Sequence, residues 1–549
     1  MIDEGFEIKF LPGIPPAEGG CPPVNPRVVH ADGMIIDYDA RVRMRDGIEI
    51  YVDVFLPEGA DLVPAIVAWG PYGKHGPVKY DLFPKHGVDP RWNSQYAGFE
   101  APDPLYWTRH GYAVINVDPR GMWNSQGDAT FYSSQEARDV YDLIEWAGTQ
   151  PWCNGKVGMS GVSYLAIIQW RAAAARPPHL AAINPWEGVS DRYREMAYHG
   201  GIPEDRFGPM WRSRRVPYST GRVEDTITMY ADHPLFDEYW ESKTPDLAQV
   251  EVPAFVVASW SDQGLHNRGT LEGYKHISST DKWLLIHGRK KWQFYYEPNN
   301  VELLRQFFDK FLRGVDSAVH SWPRVRLEVR ERFDVGDYRD EPEWPLARTE
   351  ARPLYLHAER RELLPTPAAT EGEIRYVADG TERLEFVHRF DATTELIGPM
   401  TLRLWVEAAG SDDMDLFVAV QKADEHGEIV PFSFLNALED GPVALGWLRV
   451  SHRELDAERS TPLQPWHTHR REELLTSGQV VPVDIEVWPS GTRFAAGEQL
   501  RLVVQGSDIY TYPPGTVSMG HSKTRNAGTH VIHTGGRYDS HLLVPVIPG

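Results

Sequence analysis

A chain of 549 residues exceeds what one hydrophobic core organises, since single cores stop growing near ~250–300 residues, so two or three domains are expected. Its 56 basic and 78 acidic side chains leave a net charge of −22, which excludes a broad basic footprint for nucleic acid or an anionic membrane surface. Only Cys21 and Cys153 are present, which excludes a disulfide framework and a cysteine-rich metal cluster; with an acidic start and no apolar run near ~20 residues, a cytoplasmic protein is expected.

In chain order, Tyr38 to Leu56 alternates apolar and polar residues around Arg45-Asp46-Gly47, the pattern of a β-hairpin with a glycine turn. Ala65 to Trp69 and Ala113 to Val117 are short apolar runs that end at Gly-Pro and Asp-Pro, as buried parallel strands do. Between Gln135 and Gly148 the apolar residues recur with helical spacing. Lys156 to Met159 is a further strand, and it feeds Ser160-Gly-Val-Ser163 and then a helical run from Tyr164 to Ala175. Strands alternating with helices predict an α/β fold. Residues 190–247 carry Trp, Tyr, Arg and Asp without strand alternation and predict a helical cap over the sheet. The strand pattern resumes at Ala254 to Ala258 and Trp283 to Ile286, followed by a helix that Gly314 closes. These segments place the α/β catalytic domain at 1–189 and 248–341. From 342 to 549 short strands separated by Gly, Pro and Asp clusters predict an all-β sandwich of the jelly-roll type.

The chemistry centres on Gly161-Val162-Ser163-Tyr164-Leu165. A serine on a tight strand-to-helix turn needs a small residue two positions earlier, and Gly161 supplies it. Such a turn exposes the hydroxyl and aims the Tyr164 backbone N–H at a developing oxyanion. The usual Gly-x-Ser-x-Gly pattern is broken at its last position, where Leu165 stands. Ser160 also follows a glycine by two positions, but it lies within the strand end and reads as structural.

Around this turn the sequence resembles the cocaine-esterase and X-Pro dipeptidyl-peptidase family of α/β-hydrolases. The resemblance is carried by Met44-Arg-Asp-Gly47, Gly70-Pro-Tyr-Gly-Lys74, Asp118-Pro-Arg-Gly121, Ser125-Gln-Gly127, Trp152-Cys-Asn-Gly-Lys-Val-Gly158, Trp260-Ser-Asp262, Phe307-Phe-Asp309 and Gly398-Pro-Met-Thr-Leu402, in that order. It implies a serine hydrolase that cleaves ester or amide bonds of a small molecule or short peptide through an acyl-enzyme. No metal and no other cofactor is called for. It also implies a triad in the chain order Ser163, Asp262, His, and Tyr72 as a second oxyanion donor beside Tyr164. Trp186 is expected to line the acyl pocket.

Relatives carry Gly-Pro-Trp-x-His after the following strand, whereas this chain reads His287-Gly-Arg-Lys-Lys-Trp292, which puts Trp292 at the histidine position. His287, at the strand end, is the first choice for the base. His266 is the alternative, and Lys290 or Lys291 would serve if no histidine did. His467 and His469 have metal-like spacing but no third ligand in view, and read as surface residues. An X-Pro dipeptidyl-peptidase or α-amino acid ester hydrolase would need carboxylates for a free α-ammonium, which Asp191, Glu195, Glu204 and Asp205 could supply. The displaced histidine also leaves room for a binding scaffold with an impaired base. Association into a homo-oligomer is compatible with this composition.

Overall fold

The computed structural model describes residues 5–80, 83–214, 216–435 and 437–548; the acidic tetrapeptide at 1–4 lies outside them. Eleven strands form the continuous sheet that carries the site: β1 (Arg27–Ala31), β2 (Met34–Arg43), β3 (Glu49–Pro57), β4 (Val63–Trp69), β5 (Ala113–Asp118), β6 (Cys153–Val162), β7 (Leu180–Trp186), β8 (Ala254–Ser259), β9 (Lys282–His287), β10 (Val325–Arg332) and β11 (Val335–Glu341). Their pairings run β1-β2-β3-β5-β4-β6-β7-β8-β9-β10-β11, antiparallel at the two edges and parallel from β5 to β10. The central strands are buried along their whole length, as strands covered on both faces must be.

The covering helices include α1 (Ser134–Gly148), α2 (Tyr164–Ala174), α3 (Asn267–His276) and α4 (Pro298–Phe308). The Ser133 hydroxyl caps α1 by accepting from the Glu136 N–H. Gly314 ends the last turn after α4 in the left-handed region at φ 69°. Each predicted strand and helix of the sheet region is present, its ends shifted by no more than four residues. The described residues between 190 and 247 include helices Tyr193–Ala197, Phe207–Arg214, Thr226–Asp232 and Glu238–Lys243, together with short strands at Tyr198–His199, Ile202–Pro203 and Arg222–Glu224.

Beyond residue 349 the chain is rich in antiparallel strands. Thr394–Ala409 pairs with Val481–Phe494, Thr529–Thr534 and His541–Ile547, while Gln499–Gln505 pairs with Arg383–Arg389 and Asp415–Ala423. Their inward residues, among them Leu354, Phe386, Leu402, Leu416, Ile485 and Leu500, make a core separate from that of the α/β sheet. His467 and His469, read from the sequence as surface residues, are buried, and the Arg194 guanidinium donates to the His467 carbonyl at 2.8 Å. Residues 193–236 cover them: Arg194 lies over His467, the Tyr193 ring packs on His469, and the Phe236 N–H donates to the His469 carbonyl. No helix among the described residues is long and apolar enough to cross a membrane.

Candidate active site

Strand β6 ends at Val162, α2 begins at Tyr164, and Ser163 makes the turn between them with φ 59° and ψ −116°. A non-glycine residue in this region costs ~1–3 kcal/mol and persists only where its surroundings hold it. Here the Ser163 N–H donates to the carbonyls of Trp186 and Glu187, both at 3.1 Å. Gly161 has φ 145°, and a Cβ there would lie 2.5 Å from the Leu165 Cβ. Leu165 occupies the place of the usual second glycine because Gly70 gives way opposite it: a Cβ on Gly70 would meet the Leu165 Cδ1 at 2.4 Å. The close approach is preserved with the small residue moved to the facing loop.

Three side chains then form a line. The Ser163 Oγ lies 3.1 Å from the His266 Nε2, and the His266 Nδ1 lies 2.5 Å from the Asp262 Oδ2. Asp262 and His266 are four residues apart in the turn that leads into α3, where the Asn267 N–H donates to the Asp262 carbonyl at 3.1 Å. That spacing sets both side chains on one face. Both are buried, while Ser163 is half-buried.

His287 does not reach Ser163. It ends β9, stacks on Phe294 at 3.9 Å, accepts from the Arg289 N–H on Nδ1 and faces Glu187 Oε1 at 3.1 Å through Nε2. Burial pulls its pKa down to about 3. His287, the first choice for the base, thus stands away from Ser163, and His266, the alternative, is the imidazole beside it; its i, i+4 spacing from Asp262 is the signal that could have favoured it. Trp292 donates to the Glu100 carboxylate at 3.0 Å and packs on Phe83. Beside it Lys291 turns inward, with Nζ 2.6 Å from Asp262 Oδ2 and 2.9 Å from His266 Nδ1. Lys290 points elsewhere and pairs with Glu439 at 2.6 Å.

Trp186 is also corrected. Its ring is 1% exposed and packs against Tyr295 and Phe294 below the Ser163 turn, so it belongs to the core and walls no open pocket; the loop after β9 folds over it. Ser160 donates to Asn184 Oδ1 at 2.9 Å within the core.

The Tyr164 N–H, in the first turn of α2, has no intrahelical acceptor and lies at the positive end of the helix. The Tyr164 phenol is engaged elsewhere, donating to Glu136 at 2.7 Å. From the helix Phe207–Arg214, Trp211 donates to the Tyr72 phenol oxygen at 3.2 Å, and a phenol that accepts an indole N–H acts as a donor through its own hydrogen.

Burial disfavours charge on His266, and the Lys291 ammonium disfavours it further against the pull of Asp262; the result is a pKa lowered to about 4. Burial raises the pKa of Asp262, but Lys291 and His266 outweigh this and hold its carboxyl below the usual range. The site therefore contains a neutral imidazole between a hydroxyl and a carboxylate. Among the described residues no cluster of three His, Cys, Asp or Glu side chains could hold a metal ion.

The family model for X-Pro dipeptidyl-peptidase (S15 family) matches residues 46–290, and that for the X-Pro dipeptidyl-peptidase C-terminal non-catalytic domain matches residues 317–543. A CocE/NonD family hydrolase from Staphylococcus aureus is 41% identical, with a TM-score of 0.92 over 98% of this chain and 99% of that one. The chain belongs to the CocE/NonD hydrolase family. The cocaine esterase of Rhodococcus sp. (strain MB1 Bresler) is 24% identical, the alignment covering 92% of this chain and 97% of that protein. An α-amino acid ester hydrolase shares the fold at 17% identity, with a TM-score of 0.71 over 96% of this chain and 100% of that one. The resemblance read from the ordered segments is borne out. As a CocE/NonD hydrolase, the protein is a serine hydrolase acting on ester or peptide bonds, with an α/β-hydrolase fold and a strand-rich C-terminal part.

Proposed function

We propose that Ser163 is the acylated nucleophile, His266 its general base and Asp262 the carboxylate that orients the base. The observation that carries this reading is the unbroken line from Ser163 Oγ through the imidazole to Asp262, at 3.1 Å and 2.5 Å. The 2.5 Å contact requires a proton on Nδ1, because two lone pairs at that separation would repel; Nε2 is then the acceptor for the Ser163 proton. As Oγ attacks the substrate carbonyl, His266 takes that proton, and the tetrahedral oxyanion is met by the Tyr164 N–H and the Tyr72 hydroxyl. His266 next returns the proton to the departing alkoxide or amine. Water, deprotonated by the same imidazole, releases the acyl group and regenerates Ser163.

The substrate class this reading favours is a small carboxylic ester. The four acids considered for gripping a free α-ammonium already have partners: Asp191 with Arg194 at 2.6 Å, Glu195 with Arg268 at 2.8 Å, Glu204 with four backbone N–H groups, and Asp205 with Ser522 at the surface. An aminopeptidase reading has no comparable support, and an imidazole in line with Ser163 removes the reason for a scaffold reading. We further take 1–189 and 248–341 as the catalytic domain, 190–247 as its cap and 342–549 as a jelly roll.

Ser163→Ala and His266→Ala are each expected to lower kcat for a chromogenic short-chain ester on the order of 10⁶-fold. Ser163→Ala should also abolish labelling by a fluorophosphonate probe, whereas His287→Gln should retain it. Labelling that survives in Ser163→Ala, or activity that survives in His266→Ala, would overturn the assignment. Acetylated and free-amine forms of one ester should turn over at similar rates.

A further inference from the structure

Behind Asp262 lies a second carboxylate that the reaction above does not use. Glu187 follows β7 with φ 52°, its carbonyl accepts the Ser163 N–H, and its side chain is 1% exposed. Its two oxygens have different surroundings. Oε1 faces His287 Nε2 at 3.1 Å, and because His287 Nδ1 accepts from the Arg289 N–H, the imidazole proton resides on Nε2 and is donated to Glu187.

Oε2 is buried and meets no donor; the Lys291 ammonium, at 3.9 Å, is beyond hydrogen-bond range. Asp262 Oδ1 is likewise buried and meets no donor. The Lys291 ammonium borders both groups, 2.6 Å from Asp262 Oδ2 and 3.9 Å from Glu187 Oε2, so the two carboxyl groups lie side by side. Two ionised carboxylates with bare oxygens side by side in a dry site would repel and would each forfeit a hydrogen bond. One proton between them removes both costs.

We propose that Glu187 is held as a neutral carboxylic acid whose Oε2–H donates to Asp262 Oδ1, which makes it a positioning residue for the triad's carboxylate. This inference rests on the Ser163, His266 and Asp262 reading. The groups that face Glu187 are the Asp262 carboxylate, the Lys291 ammonium, the His287 imidazole and the Trp186 indole. The proton belongs on Glu187, since Lys291 and His266 stabilise the ionised form of Asp262 directly, at 2.6 Å and 2.5 Å. Burial, reinforced by Asp262 and only partly opposed by Lys291, holds the Glu187 carboxyl well above the usual carboxylate range. With Glu187 neutral, Asp262 and Lys291 cancel, and the resting site encloses no net charge. Asp262 is then fixed through both oxygens, Oδ1 by Glu187 and Oδ2 by His266 and Lys291, so its plane cannot turn away from the imidazole.

The test uses the full-length enzyme. Infrared spectra recorded around neutral pH in H₂O and D₂O should show an isotope-sensitive C=O band of a protonated carboxyl group, which is lost in Glu187→Gln. Glutamine keeps both bonds, its amide N–H replacing the acid and its carbonyl accepting from His287, so Glu187→Gln should hold kcat within about threefold and leave the acid limb of the pH profile in place. Glu187→Ala, which strands Asp262 Oδ1, should lower kcat by roughly 10²-fold with a smaller change in KM. Absence of the band in the wild type, or a Glu187→Gln enzyme with kcat lowered as far as in Glu187→Ala, would overturn the proposal. Should Glu187→Ala fail to fold, the band and the glutamine variant decide alone. Failure of Ser163 to label would sink the triad reading without affecting the band, so the two failures are distinguishable.

Discussion

Lys291 adds to burial in lowering the proton affinity of His266. Its ammonium is 2.9 Å from the ring nitrogen that must stay protonated, so protonating Nε2 as well brings two cations together in a buried site. The base therefore stays neutral until the pH falls to about 4. The acid limb of kcat/KM is expected near that value rather than at the ~6.5 of an ordinary histidine. In Lys291→Met the limb should move up toward ~6.5, because the repelling cation is gone while Asp262 still favours the imidazolium. A pH–rate profile of the two enzymes checks this; an unmoved limb would show that Lys291 does not act on His266. The same residues show how much of the site the sequence carried. Ser163 and Asp262 were legible because each lies in a segment whose order along the chain matches the family. His266 was legible only as the alternative, because it stands in a turn beside Asp262 rather than in the loop where relatives carry their histidine, and the folded turn shows that the four-residue spacing brings imidazole and carboxylate together.

At the level of elements, the strand–turn–helix unit around Ser163 depends on how α2 meets the loops beside it. Leu165 is 3% exposed and presses on Gly70, filling the space that a glycine would leave empty. Leu165→Ala should cost roughly 2–5 kcal/mol in urea unfolding, since a buried leucine is replaced by a cavity. Fluorophosphonate labelling of Ser163 should persist, because the Ser163 N–H remains anchored to Trp186 and Glu187. Loss of labelling without loss of stability would mean that Leu165 shapes the turn itself. The strands of the sheet were readable because a doubly covered strand is a continuous apolar run, and β4, β5 and β8 are buried from end to end. The cap was not. Its short strands at Tyr198–His199 and Ile202–Pro203 pair over two residues only, too few for any period to register. The fate of Trp186 was hidden for a related reason: whether an aromatic residue at a strand end meets solvent or core depends on the loop after β9, which folds over it.

Across the whole molecule, buried histidines are a shared liability in acid. Burial first of all lowers the pKa of His199, His287 and His467 to about 3 and of His266, His452 and His530 to about 4. Each is neutral when folded and titrates near ~6.5 when unfolded, so the unfolded chain takes up more protons throughout that interval. The stabilisation these groups carry is complete above pH ~6.5 and is lost as pH falls toward their folded values. His521, raised by Asp508 against burial, and His75, raised by Asp53 against burial, act in the opposite sense but are outnumbered by these six. Thermal unfolding followed by circular dichroism should give a Tm that declines continuously from pH 7 to 4; a flat profile would contradict this account of the buried imidazoles.

The strand-rich C-terminal part bears on the site through few but well-placed contacts. The Leu435 N–H donates to the Ser261 carbonyl, Gln263 bonds the Leu445 N–H and the Pro489 carbonyl, and Arg268 ties Glu195 to Glu486. These contacts bracket the five residues from Asp262 to His266. Because acid and base share one turn, they move as a single body, and the contact between them survives any small displacement of that turn. The gap from His266 to Ser163 does not, since it joins two separate pieces of chain. The machinery thus has one seam where an arrangement with acid and base on different loops has two, and the grip of the C-terminal part falls on the side of that seam that can slip.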